Sequence, residues 1–152
     1  IPVDRRGNLV EAYYEQLCSP LREVRQTAAR AWSLWEGSTV KLLVDPSLQA
    51  EFAADEFADA FARIECHYFV NRGFFQSDNH LIEHIGAIRH IPAAIIQGRY
   101  DIVCPMRSAW DLHKAWPEAE FQVIADGGHA ASEPGIRTAL IEATDAFAER
   151  LS

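Results

Sequence analysis

Two residues of this 152-residue sequence, an aspartate and a histidine, are placed where they could carry out proton-transfer chemistry. Asp101 comes shortly after the run Ile91–Gly98, and His129 follows the run Phe121–Ala125 after one aspartate and two glycines. An imidazole can take the proton of a weak hydroxyl nucleophile, while a carboxylate fixes the tautomer of the ring and stabilises the imidazolium. The spacing fits Asp101 as an orienting acid and His129 as a base, and it fits two ordinary loop residues equally well.

Two short strands and two helices must position this pair. Ile91–Gly98 and Phe121–Ala125 are nearly continuous apolar runs, which is typical of strands buried on both faces of a parallel sheet. The periodicity predicts a connecting helix over Met106–Trp116 and a last helix from Pro134 to Phe147, whose inward face would hold Ile136, Leu140, Ile141 and Ala143 or Thr144. Because parallel strands present their carboxyl ends at one edge, this order brings the aspartate and the histidine side by side.

The first 88 residues have a different, helical texture. Apolar residues spaced three and four apart predict a helix over Pro20–Glu36 that ends at Gly37. Asp45 followed by Pro46 is typical of a second helix start. The residues predicted to be buried along these helices are Leu21, Val24, Ala28, Ala31, Trp32, Trp35, Leu48, Phe52, Phe61 and Ile64. The sequence therefore divides into a helical part, 1–88, and an α/β part, 89–152.

The overall composition excludes several classes of partner. A net charge of −8 repels the phosphate backbone of nucleic acids and gives no basic surface for an anionic membrane. No run of about 18 apolar residues is present to cross a bilayer. Cys18, Cys66 and Cys104 show no CxxC spacing, so neither a disulfide framework nor a zinc knuckle is predicted, and the simplest compartment is the cytoplasm.

The nucleophile that the Asp101 and His129 pair would serve is missing from this sequence. None of its eight serines lies in a G-x-S-x-G turn, since Ser38 follows a glycine but no second glycine comes after it. An acid followed by a histidine on the last two strands is the order found in α/β-hydrolases, whose serine comes earlier in the chain. Cys104 is disfavoured as a substitute nucleophile because nothing in the sequence activates its thiol, and a buried pocket position explains it better.

A metal site is the rival interpretation of the histidines. His80–His84 fits H-x-x-E-H, which on a helix places two imidazoles one turn apart beside a glutamate. Gly86 follows so closely that little helix remains to hold such ligands, and we therefore expect no metal. The other histidines, His67, His90 and His113, have no partner pattern and are expected to be solvated or structural.

Several longer segments resemble one enzyme family, the proline iminopeptidases. Four segments resemble the C-terminal part of these enzymes: Ile91–Pro105, Lys114–Ala119, Gly128–His129 and Ser132–Gly135. Two further segments resemble their helical cap: Trp35–Ser38 and Glu65–Phe75. The resemblance implies a partial α/β-hydrolase fold of the α/β class. In this fold a helical cap, 1–88, precedes the last two parallel strands and their helices, 89–152.

The resemblance also implies roles for six residues. They are Asp101 as the triad acid, His129 as its base, Glu36 and Glu65 as cap carboxylates that hold the substrate's free amine, and Val103 and Cys104 as lining of the prolyl pocket. Glu36 would sit beside a helix end whose dipole disfavours a negative charge. Glu65 lies among apolar residues and needs a partner, either the substrate's amine or an arginine such as Arg63 or Arg72.

The reaction implied by the resemblance is removal of an N-terminal proline from a peptide, without a metal or an organic cofactor. The serine and the oxyanion hole would come from the N-terminal part of the same hydrolase fold. Without that part we expect this chain to be inactive, and to expose apolar edges or self-associate as a homo-oligomer. Two other classes stay open: another α/β-hydrolase, such as an esterase or amidase, and a non-catalytic interaction fragment.

Overall fold

The structure, a computed structural model, describes the backbone of residues 1–151 and the side chains of residues 1–150. The chain forms two compact units. The first comprises Ile1–Ser38 and Asp45–Asp78, and the second comprises Thr39–Val44 and the chain from Asn79 onward. The interpretation of 1–88 as a cap and of 89–152 as part of a hydrolase core stays a prediction.

The first unit is built from four helices. They are α1 (Leu9–Leu17), α2 (Arg22–Thr39), α3 (Pro46–Phe52) and α4 (Asp55–Val70). Asp45 begins α3 as the sequence predicted, because its carboxylate accepts hydrogen bonds from the backbone of Ser47 and Leu48, both at 3.1 Å. The segment after Asp45 contains two helices, with Ala53 and Ala54 between them.

The end of α2 differs from the prediction. Gly37 lies inside the helix, which continues to Thr39. A Cβ atom on Gly37 would lie 2.8 Å from the side chain of Phe52, so glycine is needed there for close packing rather than for a helix stop. Glu36 is consequently a buried residue within the last turns of the helix, and it does not lie beside a capping glycine.

The core of the first unit is made of smaller residues than the pattern predicted. Its buried cluster consists of Leu17, Ala28, Ala29, Ala58, Ala62 and Cys66 from α1, α2 and α4. Several of the residues predicted to be buried are exposed instead: Leu21, Val24, Trp35 and Ile64. Small side chains let helix backbones approach closely, and they are hard to distinguish from surface alanines by periodicity alone.

The second unit contains a two-stranded parallel sheet. Its strands are β1 (Ala94–Gly98) and β2 (Glu120–Ile124), in a register that pairs Ile95 with Phe121. Helix α6 (Met106–Ala115) connects the strands and packs on β1, while α7 (Pro134–Leu151) contacts both strands. A short helix, α5 (His80–Glu83), precedes the sheet. The predicted strand–helix–strand–helix order and the parallel pairing are confirmed, and they make this unit a partial α/β arrangement.

The faces of this sheet are less buried than the sequence predicted. Only Ile124 of β2 is buried, and Val123 beside it is exposed. On α7 the inward residues are Ile136 and Ala139, whereas Leu140 and Ile141, which were predicted to face inward, are exposed. Apolar surface on both the sheet and the helix thus has no cover within the described residues.

None of the helices in the described part of the chain is long and apolar enough to cross a membrane.

Candidate active site

The loops that leave the two strands are drawn together at one edge of the sheet. The backbone N–H of Arg99 donates to the carbonyl of Ile124 at 2.9 Å, and that of Tyr100 donates to Gly127 at 2.9 Å. A Cβ atom on Gly98 would lie 1.9 Å from the carbonyl oxygen of Gly128, so only glycine permits this approach. The loop that carries the histidine therefore lies directly against the end of β1.

Asp101 and His129 meet at this edge. The Nδ1 atom of His129 lies 3.0 Å from Oδ2 of Asp101, in hydrogen-bonding geometry. The aspartate side chain is only 7% exposed and the imidazole is 36% exposed, so a buried carboxylate supports a ring that solvent can reach. When Nδ1 carries the proton that is shared with the carboxylate, the basic lone pair is on Nε2. This arrangement allows Nε2 to accept a proton from a neighbouring hydroxyl.

The other carboxylate oxygen of Asp101 is held by the turn that follows it. Oδ1 accepts the backbone N–H groups of Val103 at 3.0 Å and of Cys104 at 2.7 Å. Both bonds orient the carboxylate towards His129. The structure thus brings Val103 and Cys104 next to the aspartate through their backbones, while their role in a prolyl pocket stays a prediction. The prediction that Cys104 is buried is wrong, since this residue is exposed near the end of the loop that leads into α6.

Gln97 is a supporting residue that the sequence analysis missed. Its buried side-chain amide donates to the carbonyl of Cys104 at 3.1 Å and to Oδ2 of Asp101 at 3.4 Å. It links the end of β1 to both ends of the turn that carries the aspartate. A signal was available, because a glutamine within an otherwise apolar strand needs a buried polar partner.

The loop of His129 is held by a segment that is distant in sequence. The backbone N–H groups of His129 and Ala130 both donate to the carbonyl of Val40, at 3.0 and 2.7 Å. The buried carboxylate of Glu133 accepts from the backbone of Gly128 at 2.9 Å and of Leu42 at 3.3 Å. Sequence reasoning missed both supports. Glu133 precedes the first residue of α7, where a negative charge is favoured, but no local signal marks Val40.

Glu36 and Glu65, the two predicted amine-binding carboxylates, lie in the first unit and are both close to Trp32. Glu36 is 7% exposed, and together with Trp32 and Trp35 it lines a cavity of about 540 Å³. Oε2 of Glu65 accepts the indole N–H of Trp32 at 2.6 Å. Arg63, which was an alternative partner for Glu65, pairs with Asp59 at 3.5 Å.

Aromatic rings surround the same cavity. Tyr13 packs edge-on against Trp32 with 5.3 Å between ring centroids, and Phe69 lies 5.9 Å from Trp32. Both rings contribute to the cavity lining. Apolar walls beside a buried carboxylate suit a small cationic group with an apolar body, because the rings lower the local dielectric and strengthen the charge attraction.

The histidine pair of the H-x-x-E-H pattern does not form part of a ligand cluster. Helix α5 has only four residues, and the Nδ1 atom of His84 lies 2.7 Å from the carbonyl oxygen of His80. Across residues 1–150, no group of three or more histidine, cysteine, aspartate or glutamate side chains is placed to hold a metal ion.

Cys66 is the most deeply buried of the three thiols. Its Sγ lies 3.4 Å from the carbonyl oxygen of Val10, and burial raises the pKa of the thiol to about 11. A thiol with this pKa stays protonated at neutral pH and is a poor nucleophile. Cys66 therefore acts as an apolar core residue.

Comparison with known proteins gives close relatives along almost the whole chain. The chain is 60% identical over 147 residues to a probable proline iminopeptidase of Leptolyngbya boryana, covering 97% of this chain and 46% of that protein. It is 52% identical over 146 residues to a proline iminopeptidase of Arabidopsis thaliana, covering 95% of this chain and 38% of that protein. A proline iminopeptidase of Neisseria gonorrhoeae is 44% identical over 152 residues, with coverages of 99% and 47%.

The chain spans about half the length of the curated relatives it matches, or less. No protein-family model matches it. Identities of 44 to 60% over 95 to 99% of the chain confirm the resemblance that its motifs indicated.

Proposed function

This chain is related to the proline iminopeptidases along almost its whole length, and we propose that it is part of a serine aminopeptidase that releases N-terminal proline from peptides. The observation that carries the proposal is the hydrogen bond between His129 and the buried carboxylate of Asp101. A buried acid bonded to an accessible imidazole is the arrangement that a hydroxyl nucleophile requires.

In the proposed reaction the nucleophilic serine belongs to a part of the protein that precedes this chain. Nε2 of His129 takes the proton of the serine hydroxyl as it attacks the prolyl carbonyl, and then delivers that proton to the leaving amine. Asp101 holds the tautomer and stabilises the imidazolium that forms between these steps. Water then releases proline from the acyl-enzyme by the same proton transfers in reverse.

We propose that the complete protein is an α/β-hydrolase in which residues 1–88 form a helical cap and residues 89–152 supply the last two strands. The exposed apolar residues Val123, Leu140 and Ile141 support this proposal, because further strands and helices of such a fold would cover them. The preceding part of the fold is thus the first partner of this chain. Three cysteines that form no disulfide support a reducing, cytoplasmic location.

The proposed amine anchor consists of Glu36 and Glu65. A protonated prolyl nitrogen pairs with two carboxylates more strongly than a neutral, acylated nitrogen does, so the anchor selects peptides with a free N-terminus. The cavity of about 540 Å³ lined by Glu36 and Trp32 supports this role. Val103 and Cys104 are proposed to line the pocket for the proline ring. No metal or organic cofactor takes part.

The test is hydrolysis of a chromogenic proline amide by the complete protein and by its His129→Ala variant. We expect kcat to fall by at least about a thousandfold, the scale found when a triad histidine is removed. The matched control is His90→Ala, which removes an exposed imidazole and should leave kcat unchanged. Undiminished hydrolysis by the His129→Ala variant would remove this residue from the mechanism.

A second comparison separates this proposal from an esterase or amidase with the same acid and base. The complete protein should cleave the free proline amide and should not cleave its N-acetyl form at a comparable rate. Equal rates on the two amides would show that no carboxylate pair selects the amine.

A further inference from the structure

We infer that Glu133 is a positioning residue for His129, because its carboxylate fastens the histidine loop to residues 40–42. The inference rests on the proposed function only in taking His129 as the base whose position affects the rate. Among the described residues Glu133 forms no hydrogen bond with the imidazole of His129 or with Asp101, so we expect any effect on the reaction to pass through the loop.

One carboxylate oxygen of Glu133 accepts both of the hydrogen bonds that hold the loop. Oε1 accepts the N–H of Gly128 at 2.9 Å and the N–H of Leu42 at 3.3 Å, and the residue is only 9% exposed. A Cβ atom on Gly128 would lie 2.7 Å from this same oxygen, so the carboxylate rests directly against the loop backbone. Charged acceptors form stronger hydrogen bonds than neutral ones, and little solvent competes for the bond from Gly128, which is buried.

The two segments are joined a second time next to this contact. His129 and Ala130 both donate to the carbonyl of Val40, at 3.0 and 2.7 Å. The backbone bonds and the carboxylate bonds therefore bridge the same two stretches, 40–42 and 128–130. Removing the carboxylate leaves the buried N–H of Gly128, and the more exposed N–H of Leu42, without this acceptor.

Glu133 is itself firmly held. Its backbone N–H donates to the carbonyl of Ala130 at 3.0 Å, and its own carbonyl accepts the N–H of Arg137 at 2.8 Å in the first turn of α7. The carboxylate also lies next to the start of this long helix, where the helix dipole favours a negative charge. The hydrogen bonds of Glu133 thus connect the histidine loop to the start of α7.

The position of the loop matters because the imidazole must reach two groups at once. Nδ1 of His129 has to stay 3.0 Å from Asp101 while Nε2 faces the hydroxyl that it deprotonates. A displacement of about 1 Å in such a site can lower the rate by about a hundredfold. Loss of the hydrogen bonds that Glu133 accepts is therefore expected to lower kcat more than it raises KM.

The experiment uses the complete protein with Glu133→Gln and Glu133→Ala, and with Glu142→Gln as the control for loss of an exposed glutamate on α7. We expect the Ala variant to lose about ten- to a hundredfold in kcat on a proline amide, with KM within about twofold. The Gln variant keeps an oxygen acceptor without the charge, so its loss should be smaller. The control should match the unchanged protein.

A second measurement does not depend on turnover. The Nδ1 proton of His129 is followed by NMR, and its exchange with water should be faster in the Ala variant than in the unchanged protein and intermediate in the Gln variant. If the complete protein cleaves no proline amide, the proposed function fails while this measurement still tests Glu133. If the Ala variant does not fold, the Gln variant decides.

Three results would overturn the inference. The first is an unchanged kcat in folded Glu133 variants. The second is a proton exchange rate equal to that of the unchanged protein, and the third is a Gln variant that loses as much as the Ala variant.

Discussion

The substitution Asp101→Asn tests the acid in the proposed catalytic pair with almost no change of shape. The carboxylate has one oxygen towards the turn and one towards the imidazole. Oδ1 accepts from Val103 and Cys104 at 3.0 and 2.7 Å, and Oδ2 accepts from His129 at 3.0 Å and from Gln97 at 3.4 Å. An asparagine has a single oxygen and must choose between these two sides.

The orientation of the asparagine amide is decided by which of its hydrogen-bond partners can exchange a donor for an acceptor. If the NH₂ group pointed at residues 103 and 104, it would face two fixed backbone N–H groups. Each of these donors would then lack an acceptor, at a cost of about 1 to 3 kcal/mol. Turning it towards His129 costs less, because the imidazole can switch tautomer and Gln97 still donates to Cys104 and Gly98. The asparagine oxygen should therefore stay on the turn, and its NH₂ group should face Nδ1.

This orientation inactivates the base. An imidazole that accepts a hydrogen bond at Nδ1 carries its proton on Nε2 and cannot deprotonate the nucleophile. We expect kcat on a proline amide to fall by about 10⁴-fold, or about 5.4 kcal/mol of transition-state stabilisation, with the melting temperature little changed. Asp145→Asn, at an exposed position on α7, is the matched control. Activity within tenfold of the unchanged protein would refute this reasoning.

Three further outcomes are expected. Glu65→Gln should raise KM for a free proline amide by about tenfold with little change in kcat, since it weakens only the charge attraction for the amine. Alkylation at pH 7.5 should label the exposed Cys18 and leave Cys66 unmodified, because burial raises the pKa of the Cys66 thiol to about 11. The contribution of the protonated Cys66 thiol to stability should be complete below about pH 9 and should be lost as the pH rises towards 11. Gly98→Ala should destabilise the protein by about 2 kcal/mol or more in chemical unfolding, since its methyl group would overlap the carbonyl of Gly128.

Much of the second unit could be predicted because its signals are local. Apolar runs that end in glycine indicated β1 and β2, and the parallel order followed from the helix between them. The meeting of Asp101 and His129 was then a consequence of topology, since both follow strands whose carboxyl ends share one edge.

The misjudged burial has two physical causes. In the first unit, alanines form the close contacts between helices, while larger residues such as Trp35 and Ile64 lie outside the core. Periodicity weighs large apolar residues most, so the predicted set includes Ala28 and Trp32, which belong to or pack on the core, together with residues that are exposed. In the second unit, Leu140 and Ile141 fit an apolar helix face but have no cover among the described residues. A pattern predicts which face is apolar, whereas burial depends on what lies against it.

The two members of the proposed catalytic pair, Asp101 and His129, differ in how far away in the sequence their supports lie, and this decides which supports could be predicted. Asp101 is held by Val103 and Cys104, two and three residues later, so its turn is specified by its own sequence. His129 is held by residues 40–42, almost ninety positions away, through a backbone carbonyl, which every residue has, and an N–H group, which every residue except proline has. The side chain of Glu133 is the only sequence-specific member of that second support among the described contacts. Of the side chains at 40, 42 and 133, the one at Glu133 should therefore matter most to this contact, while the identities of the side chains at 40 and 42 should matter little, proline at 42 excepted.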